Sequence, residues 1–335
     1  MASIGILGAG TWGAALTKLL AVNGHRTQLW SAIPKEIEDL SATKTHPNLP
    51  GMTMPDNVSY TTDIKEVVTD KDVVLLVVPS VYVRSTAASM RQYIPDGQII
   101  VDAAKGIEAD TLMTMTEVIE DELKKDGLHD NIRLVALSGP THAEEVARDM
   151  PTAIVSASAD MEAARKVRNI FACSRLKVYT NGDTKGVELC GAVKNVIALA
   201  VGISTGLGFG DNARAALITR GIAEIGELGQ AMGCDPRTFT GLTGIGDLIV
   251  TATSTHSRNN KCGILIGRGM STEEAIKEVN MVVEGLNALP ATIRLRDKYY
   301  IDMPIVSALD DIISGRTTPR RATDLLMRNR DISEY

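Results

Sequence analysis

The stretch SIGILGAGTWG, residues 3–13, decides the fold. It runs from an apolar segment into a glycine-rich turn of the pattern GxGxxG. In dinucleotide-binding proteins this pattern joins the first strand of a parallel sheet to a helix whose N-terminus binds the pyrophosphate. The stretch therefore predicts a βαβ unit at the very start of the chain. Gly8 is expected to form the tight turn, Gly10 to face the pyrophosphate and Gly13 to permit close helix packing.

The residues after this turn continue to alternate between strands and helices up to about residue 180. Short apolar, β-branched runs predict strands at 3–8, 26–31, 73–78, 98–102, 133–137, 152–157 and 175–180. Helical stretches lie between them at 13–22, 81–93, 114–125, 141–148 and 161–171. This alternation is typical of a doubly wound, mainly parallel sheet with helices on both faces. Residues 1–185 are therefore predicted to form an α/β Rossmann domain.

Strand signals stop after residue 185. The remaining sequence predicts helices at 186–206, 211–232, 236–242, 258–268, 271–279, 285–299, 304–314 and 319–329. Several starts carry capping signals: Asp235 and Thr318 each precede a proline, and residues 271–274 form a capping box. Residues 186–335 are therefore predicted to form an all-α domain that contributes to substrate binding and catalysis.

The composition excludes several classes of protein. The chain has 335 residues, with 35 Lys and Arg against 41 Asp and Glu, and its net charge of -6 argues against a general nucleic-acid binder. The longest aliphatic run, residues 73–78, is far shorter than the ~20 residues of a membrane span, and the N-terminus lacks the pattern of a secretory signal. The four cysteines and five histidines show no metal-binding spacing. We therefore expect a cytoplasmic chain without disulfides, metal or membrane insertion.

The end of the second predicted strand is where NAD and NADP are usually distinguished. An acidic residue there binds the ribose of NAD, whereas a nearby arginine accommodates the 2′-phosphate of NADP. This chain has LWSAI at residues 29–33, with neither. Lys35 and Glu36 are the nearest charged residues, and both lie past the expected position. Ser31 is able to hydrogen-bond to either cofactor, so the sequence leaves NAD and NADP open.

A lysine within an apolar helix is the strongest catalytic candidate. In residues 187–203 only Glu188, Lys194 and Asn195 are strongly polar, so this helix is predicted to be buried. Because an unpaired buried charge is costly, we expect Lys194 to have an anionic partner or to face a polar cavity. The alternative is a structural lysine that snorkels to the surface. Asp247, in a glycine-punctuated turn, is either its partner carboxylate or a plain helix cap.

Three further stretches are expected at the same cavity. Lys105 follows the fourth predicted strand, and ligands of doubly wound sheets bind at the carboxyl ends of the strands. Lys105 is therefore either a ligand-binding residue or an ordinary surface lysine. Residues 141–144 have the pattern of a capping box, whose amides either hold an anion or only cap a helix. Residues 257–260, Ser-Arg-Asn-Asn, combine a guanidinium with small polar donors, which suits a phosphate, or they form a solvated loop.

Together these motifs resemble the bacterial-type NAD(P)-dependent sn-glycerol-3-phosphate dehydrogenases. The matching stretches are GAGTWG at 8–13, AAKGIE at 103–108, LSGPTHAEEVARDMPTAI at 137–154, GAVKNVIALAVG at 191–202 and GLTGIGDLIVTATSTHSRNNKCG at 241–263. The resemblance implies that dihydroxyacetone phosphate and sn-glycerol 3-phosphate are interconverted with NAD or NADP. It also implies a cytoplasmic homodimer that supplies glycerol phosphate for phospholipids. The chain departs from the family at residues 31–33, where many relatives carry an arginine that binds NADPH.

The resemblance also implies roles for individual residues, with Lys194 as the proton-transfer residue. The cofactor positions it implies are Thr11, Trp12, Lys105, Ala143, Arg258, Val282 and Glu284, to which the fingerprint glycines and Ser31 are added. The substrate positions it implies are Lys105, Gly139, Thr141, Lys194, Asp247, Ser257, Arg258 and Asn259. In the resulting mechanism Lys105 stabilises the reacting oxygen, and Asp247 holds Lys194 together with Asn195 and Thr251.

Two other functions fit part of the pattern. The first is a related 3-hydroxy acid dehydrogenase with a helical second domain, which a phosphate preference at Arg258 would distinguish. The second is a non-catalytic dinucleotide sensor that binds partners through its helical half. A sensor needs no buried ammonium, so the adjacent Lys194 and Asn195 argue against it.

Overall fold

The computed structural model describes residues 1–328, and its first half is built on one eight-stranded sheet. The strands are β1 (Ser3–Leu7), β2 (Arg26–Trp30), β3 (Val58–Thr61), β4 (Val73–Leu76), β5 (Ile99–Asp102), β6 (Arg133–Ser138), β7 (Thr152–Ala157) and β8 (Leu176–Asn181). Their order is β3-β2-β1-β4-β5-β6-β7-β8, and only β6 and β7 pair antiparallel among these neighbours. The first six strands have the order typical of a Rossmann fold. The predicted fold class is thus confirmed.

Both faces of this sheet are covered, which explains why its central strands are continuously apolar. Val73 and Leu75 of β4 belong to the hydrophobic core on one face, whereas Val74 and Leu76 belong to the core on the other. The covering helices are α1 (Thr11–Val22), α2 (Pro34–Thr43), α3 (Ile64–Val68), α4 (Val83–Met90), α5 (Met115–Leu123), α6 (Ala143–Ala147) and α7 (Met161–Phe171). The seven predicted strands are all present, within a few residues of their predicted bounds.

The sequence patterns did not predict β3, α2 or α3. In β3 only Val58 and Thr61 are buried, because this strand pairs on one side with β2 and forms the edge of the sheet. The polar Ser59 and the aromatic Tyr60 interrupt the β-branched pattern by which the other strands were predicted. Helix α2 is also weakly marked, since Ile37 and Leu40 are its only buried residues.

The glycine-rich turn has the geometry that the fingerprint predicts. Gly8 has a φ of 123°, and a Cβ added there would lie 2.7 Å from the Val77 carbonyl oxygen. A Cβ on Gly13 would lie 1.9 Å from the Gly8 carbonyl oxygen, so α1 packs against the turn itself. Larger residues at these two positions would push β1, β4 and α1 apart.

The second half is helical. Its helices are α8 (Thr184–Gly206), α9 (Asp211–Ala231), α10 (Pro236–Phe239), α11 (Asp247–Thr253), α12 (Arg258–Gly267), α13 (Thr272–Val279), α14 (Glu284–Tyr299), α15 (Pro304–Ile313) and α16 (Pro319–Leu326). The predicted caps at Asp235, Ser271 and Thr318 are all formed. Asp247 was predicted to lie in a turn, but it begins α11 directly after the π-helical turn Leu242–Gly246. The last helix was predicted to reach residue 329, which lies outside the described residues.

Helix α8 lies at the centre of the helical half. By length and composition alone this helix could cross a membrane. However, 94% of its apolar stretch is buried inside the protein, as in the core helix of a soluble protein. Helix α12 approaches it very closely, because a Cβ on Gly263 would lie 2.2 Å from the Leu199 carbonyl oxygen and one on Gly202 would lie 2.3 Å from the Asn260 carbonyl oxygen. These two glycines bring the first turn of α12 beside the middle of α8.

Candidate active site

One cavity of about 760 Å³ joins the two halves of the molecule. It runs from the glycine-rich turn along the carboxyl ends of β4 and β5 to the middle of α8 and the first turn of α12. Its volume is in the range of small-molecule and cofactor sites. Of the predicted site residues, all but Gly13 and Gly139 line this cavity. The structure therefore brings together residues that lie up to 276 positions apart, from Gly8 to Glu284.

Two lysines share one carboxylate at the inner end of the cavity. Lys194 Nζ donates to Asp247 Oδ1 at 2.8 Å, and Lys105 Nζ donates to Asp247 Oδ2 at 2.6 Å. Lys194 Nζ also donates to Thr251 Oγ1, one turn further along α11. Asp247 is thus the partner of Lys194 rather than a plain cap. The predicted contact of Lys194 with an anion is confirmed by this geometry.

The pKa values of Lys194 and Asp247 follow from their burial and from the excess of positive groups around one carboxylate. Burial lowers the pKa of Lys194 to about 7, although the neighbouring Asp247 carboxylate opposes the decrease. The nearby positive charges of Lys105 and Arg258 lower it further. Burial raises the pKa of Asp247, but the two ammonium groups outweigh it and hold this pKa below its ordinary value. The cluster therefore contains an ionised carboxylate next to an amine that exchanges its proton near neutral pH.

Asn195 has partners other than Lys194. Its Oδ1 accepts a hydrogen bond from Asn259 Nδ2 at 2.9 Å, and its Nδ2 donates to the Gly191 carbonyl oxygen of its own helix at 3.2 Å. Asn259 Oδ1 in turn accepts from the Gly285 backbone N–H at 2.8 Å. Asn195 therefore ties α8 to the starts of α12 and α14, instead of touching the ammonium group as expected.

Residues 139–141 contribute through the backbone. The Gly139 carbonyl oxygen accepts hydrogen bonds from Lys105 Nζ at 3.0 Å and from Thr141 Oγ1 at 3.1 Å. The predicted capping box at residues 141–144 is wrong, because α6 begins after His142, which makes no side-chain cap. The hydroxyl of Thr141 is engaged by the Gly139 carbonyl and is not a helix cap.

The first turn of α12 presents an anion site. Ser257 is the N-cap of this helix, and its Oγ accepts from the Asn260 backbone N–H at 3.2 Å. Arg258 lines the cavity, and its guanidinium forms no ion pair or hydrogen bond with any residue in 1–328, unlike the ammonium groups of both lysines. A helix N-terminus and an unpaired guanidinium both favour an anion such as phosphate.

The opposite end of the cavity fits a dinucleotide. A Cβ on Gly10 would meet nothing within 4 Å, so the backbone at the N-terminus of α1 is open to a ligand. Gly10 caps α1 without a side-chain hydrogen bond, which leaves the first amides of the helix available for a pyrophosphate. Thr11, Trp12, Ser31 and Ala143 line this part.

Several residues in or next to the cavity were not predicted from the sequence. Ser80 follows the lining residue Pro79 and donates from its backbone N–H at 3.1 Å and from Oγ at 2.6 Å to the Glu284 carboxylate, which joins the two halves. His142 lines the cavity, and its burial lowers its pKa. Glu36 also lines the cavity. The rule that ligands bind at the carboxyl ends of parallel strands was a signal for the neighbourhood of Ser80. No sequence pattern placed Glu36 in the cavity, because its position depends on how the first turn of α2 packs against the end of β2.

The chain matches two family models that together cover most of its length. Residues 3–164 match the N-terminal part of NAD-dependent glycerol-3-phosphate dehydrogenase, and residues 183–324 match its C-terminal part.

Individual relatives and a solved structure agree with these matches. The chain is 58% identical to glycerol-3-phosphate dehydrogenase [NAD(P)+] 2 of Lactobacillus delbrueckii subsp. bulgaricus, over 100% of this chain and 99% of the relative. It is 46% identical to glycerol-3-phosphate dehydrogenase [NAD(P)+] of Agathobacter rectalis, over 99% and 98%. The crystal structure of a glycerol-3-phosphate dehydrogenase from Coxiella burnetii superposes with a TM-score of 0.92 at 36% identity, covering 98% of this chain and 99% of that one.

Proposed function

Since the chain belongs to the NAD-dependent glycerol-3-phosphate dehydrogenase family, an oxidoreductase family, we propose that its cavity interconverts dihydroxyacetone phosphate and sn-glycerol 3-phosphate with Lys194 as the proton-transfer residue. The cofactor is NAD or NADP, as in the named relatives. The observation that carries the residue assignment is the nearly buried Lys194 ammonium, which opens into the same cavity as the dinucleotide turn.

The glycine-rich end would hold the cofactor. The amides at the start of α1 suit the pyrophosphate, and Thr11, Trp12 and Ala143 line the space beside them. Val282 and Glu284, at the start of α14, border the same cavity from the helical half. When bound, the reduced dinucleotide supplies a hydride to the C2 carbonyl carbon of the ketone.

Lys194 supplies the proton that the reduction requires. In its ammonium form it donates a proton to the oxygen that was the carbonyl oxygen, and in the reverse direction the neutral amine takes this proton from the hydroxyl group. A pKa of about 7 suits both directions, because both forms are populated near neutral pH. Thr251 and Asp247 hold the amine in place through their hydrogen bonds.

Lys105 and Asp247 complete the reacting end. Lys105 stays close to Lys194 because both bind the same carboxylate. Its positive charge favours negative charge that develops on the substrate oxygen. Asp247 cannot serve both lysines as a full counter-ion, and the surplus positive charge favours an anionic substrate.

Arg258 is the phosphate-binding residue of this proposal. Its guanidinium lacks a protein partner among residues 1–328 and lies at the N-terminus of α12, beside Ser257 and Asn259. A guanidinium binds carboxylates as well as phosphates, so Arg258 alone does not distinguish this substrate from a 3-hydroxy acid. The family match supports the phosphorylated ketone, and Arg258 is the cation available for its phosphate.

A direct assay tests the activity. Purified protein is mixed with NADH or NADPH and dihydroxyacetone phosphate, and the near-ultraviolet absorbance of the reduced nicotinamide is followed. We expect absorbance to fall only when all three are present. Unphosphorylated dihydroxyacetone serves as the control, and equal rates with and without the phosphate would contradict the substrate assignment.

The compartment, oligomeric state, metabolic role and domain division of the chain are also part of the proposal. We propose that the chain acts as a cytoplasmic homodimer that supplies glycerol phosphate for phospholipids, and that residues 1–185 and 186–335 are its cofactor and substrate domains. The resemblance of the sequence to its family supports these expectations. Light scattering during size-exclusion chromatography tests the dimer by giving the mass of the particle, where one chain is 35.8 kDa.

A further inference from the structure

Glu36 provides an acidic group where the ribose of a dinucleotide is expected. Ser31 directly follows β2, and its Oγ donates a hydrogen bond to Glu36 Oε2 at 2.6 Å. Ser31 Oγ also accepts from the Ile33 backbone N–H at 3.1 Å, which fixes the hydroxyl at the end of the strand. The carboxylate of Glu36 is therefore held back against the end of β2, although it lies five residues further along the chain than Ser31.

This carboxylate faces the cavity without a counter-ion. Glu36 and Ser31 both line the cavity, and Glu36 forms no ion pair with any residue of 1–328. The adjacent Lys35 points away, since its side chain is 78% exposed and pairs with Asp39 at 3.1 Å. The neighbouring His46 accepts a hydrogen bond from the Asn48 backbone N–H at Nδ1, and burial lowers its pKa although the Glu36 carboxylate opposes the decrease, so its neutral form is favoured.

The cations of the cavity lie at its other end. Among the described residues the lining contains three Lys or Arg side chains, and all three belong to the cluster around Asp247. Lys105 and Lys194 are bonded to Asp247, and Arg258 is close enough to lower the pKa of Lys194. The end near Ser31 therefore carries a net negative charge.

We propose that Glu36, positioned by Ser31, makes this chain select NAD(H) over NADP(H). A carboxylate at the end of the second strand accepts hydrogen bonds from the ribose 2′-hydroxyl of NAD, and the same group repels the 2′-phosphate of NADP. In this chain the carboxylate comes from the third residue of α2 instead of from the strand end itself. The inference rests on the proposed function, because it assumes that the dinucleotide binds in this cavity.

Equilibrium binding tests the proposal without any turnover. Both tryptophans of the chain, Trp12 and Trp30, line the cavity, so quenching of their fluorescence reports cofactor binding directly. We expect the wild-type protein to bind NADH about 100-fold more tightly than NADPH, because like charges placed together in a binding site lower affinity by several kcal/mol. The same order is expected for NAD+ and NADP+.

Three variants assign the discrimination to its source. Glu36→Gln keeps the size of the side chain but removes its charge, and we expect it to bring the two dissociation constants to within about tenfold, mainly by strengthening NADPH binding. Ser31→Ala frees the carboxylate from the strand end and is expected to reduce the ratio less. Glu38→Gln removes the same charge from an exposed position of the same helix and should leave the ratio unchanged.

The outcomes separate this inference from the function on which it rests. Equal binding of the two cofactors by the wild-type protein, or an unchanged ratio in Glu36→Gln, would overturn the role of Glu36 and leave the dehydrogenase function intact. Failure of both cofactors to bind at all would contradict the proposed function as well. Thermal melting of each variant confirms that a changed affinity does not come from unfolding.

Discussion

Asp247 accepts hydrogen bonds from two lysines, so the cluster holds one negative charge against two positive charges. Lys194 is the more deeply buried of the two, with a side chain 5% exposed against 17% for Lys105. Desolvation disfavours a charged amine most strongly where water is most fully excluded. The surplus proton is therefore released from Lys194, which lies in the middle of α8.

Replacement of Lys194 tests its role in proton transfer. Lys194→Ala is expected to lower kcat by a factor of about 10² to 10⁴, because general acid catalysis by a positioned group contributes on this order. Binding of the dinucleotide, measured by tryptophan fluorescence, should persist, since the glycine-rich turn is at the other end of the cavity. Unchanged turnover would remove Lys194 from the chemistry.

The pH dependence of the rate follows from the pKa of Lys194. Reduction of the ketone needs the protonated amine, so kcat/KM in this direction should fall as the pH rises through about 7. Oxidation of the alcohol needs the neutral amine, so its kcat/KM should rise over the same interval. Initial rates in both directions across this range provide the check. Parallel profiles in the two directions are incompatible with a single group that both gives and takes the proton.

Arg258 is expected to act mainly on substrate affinity. Arg258→Leu removes the guanidinium that has no protein partner within residues 1–328, and charge-assisted contacts to phosphate stabilise a complex by a few kcal/mol. KM for dihydroxyacetone phosphate should therefore rise by about 10-fold to 100-fold, with a smaller change in kcat. Steady-state kinetics over a range of ketone concentrations measures both constants, and an unaltered KM contradicts the phosphate assignment.

At the scale of elements, the site depends on how closely α12 packs against α8. Gly263→Ala would place a methyl group 2.2 Å from the Leu199 carbonyl oxygen, so the two helices must separate. We expect a loss of unfolding free energy of about 1–3 kcal/mol, typical of overpacking, with reduced activity because Arg258 moves away from Lys194. Urea denaturation measures the loss.

A second glycine provides the matched control for this substitution. Gly226 lies within α9, and a Cβ there would make only ordinary contacts with Phe239 at 3.9 Å. Gly226→Ala should be neutral or slightly stabilising, since alanine favours helix more than glycine does. Equal destabilisation by both substitutions would show that the close approach of α8 and α12 is not the cause.

The sequence predicted the elements that carry strong periodic or motif signals. The GxGxxG turn located β1 and α1, and the apolar run around Lys194 located α8 and its burial. The pairing of Lys194 with Asp247 was predicted because a buried ammonium needs a counter-ion. The separate roles of Asn195 and Glu36 were not predictable, since each depends on a tertiary contact, with Asn259 and with Ser31, that spacing along the chain does not encode.

At the scale of the whole molecule, the buried carboxylate of Glu224 fastens α9 to α15. It accepts hydrogen bonds from the backbone N–H groups of Ile305 at 2.8 Å and Val306 at 3.3 Å, in the first turn of α15. Burial raises its pKa to about 7, and these two amides oppose the increase without cancelling it. The folded protein therefore holds a proton on Glu224 that the unfolded chain releases at lower pH.

This raised pKa makes the stability depend on pH. The stabilisation is fully present below about pH 4.5 and is lost as the pH rises through about 7. Relative to Glu224→Gln, the wild-type free energy of unfolding should therefore fall by up to about 3 kcal/mol over this interval. Denaturant unfolding at several pH values measures this difference. Glu227→Gln, exposed on the same helix, should show no such trend, and a similar trend there would point to net charge instead.

The placement of Lys194 within α8 has a consequence for how the molecule responds to heat. The amine is anchored in the most interior helix of its half, while the facing wall consists of strand-end loops joined to α14 through Ser80 and Glu284. Adjustment to incoming reactants is therefore expected from those loops, because α8 is buried along most of its length. Warming should displace the loops before the helix that carries the amine, so turnover is expected to be lost at a lower temperature than helical structure.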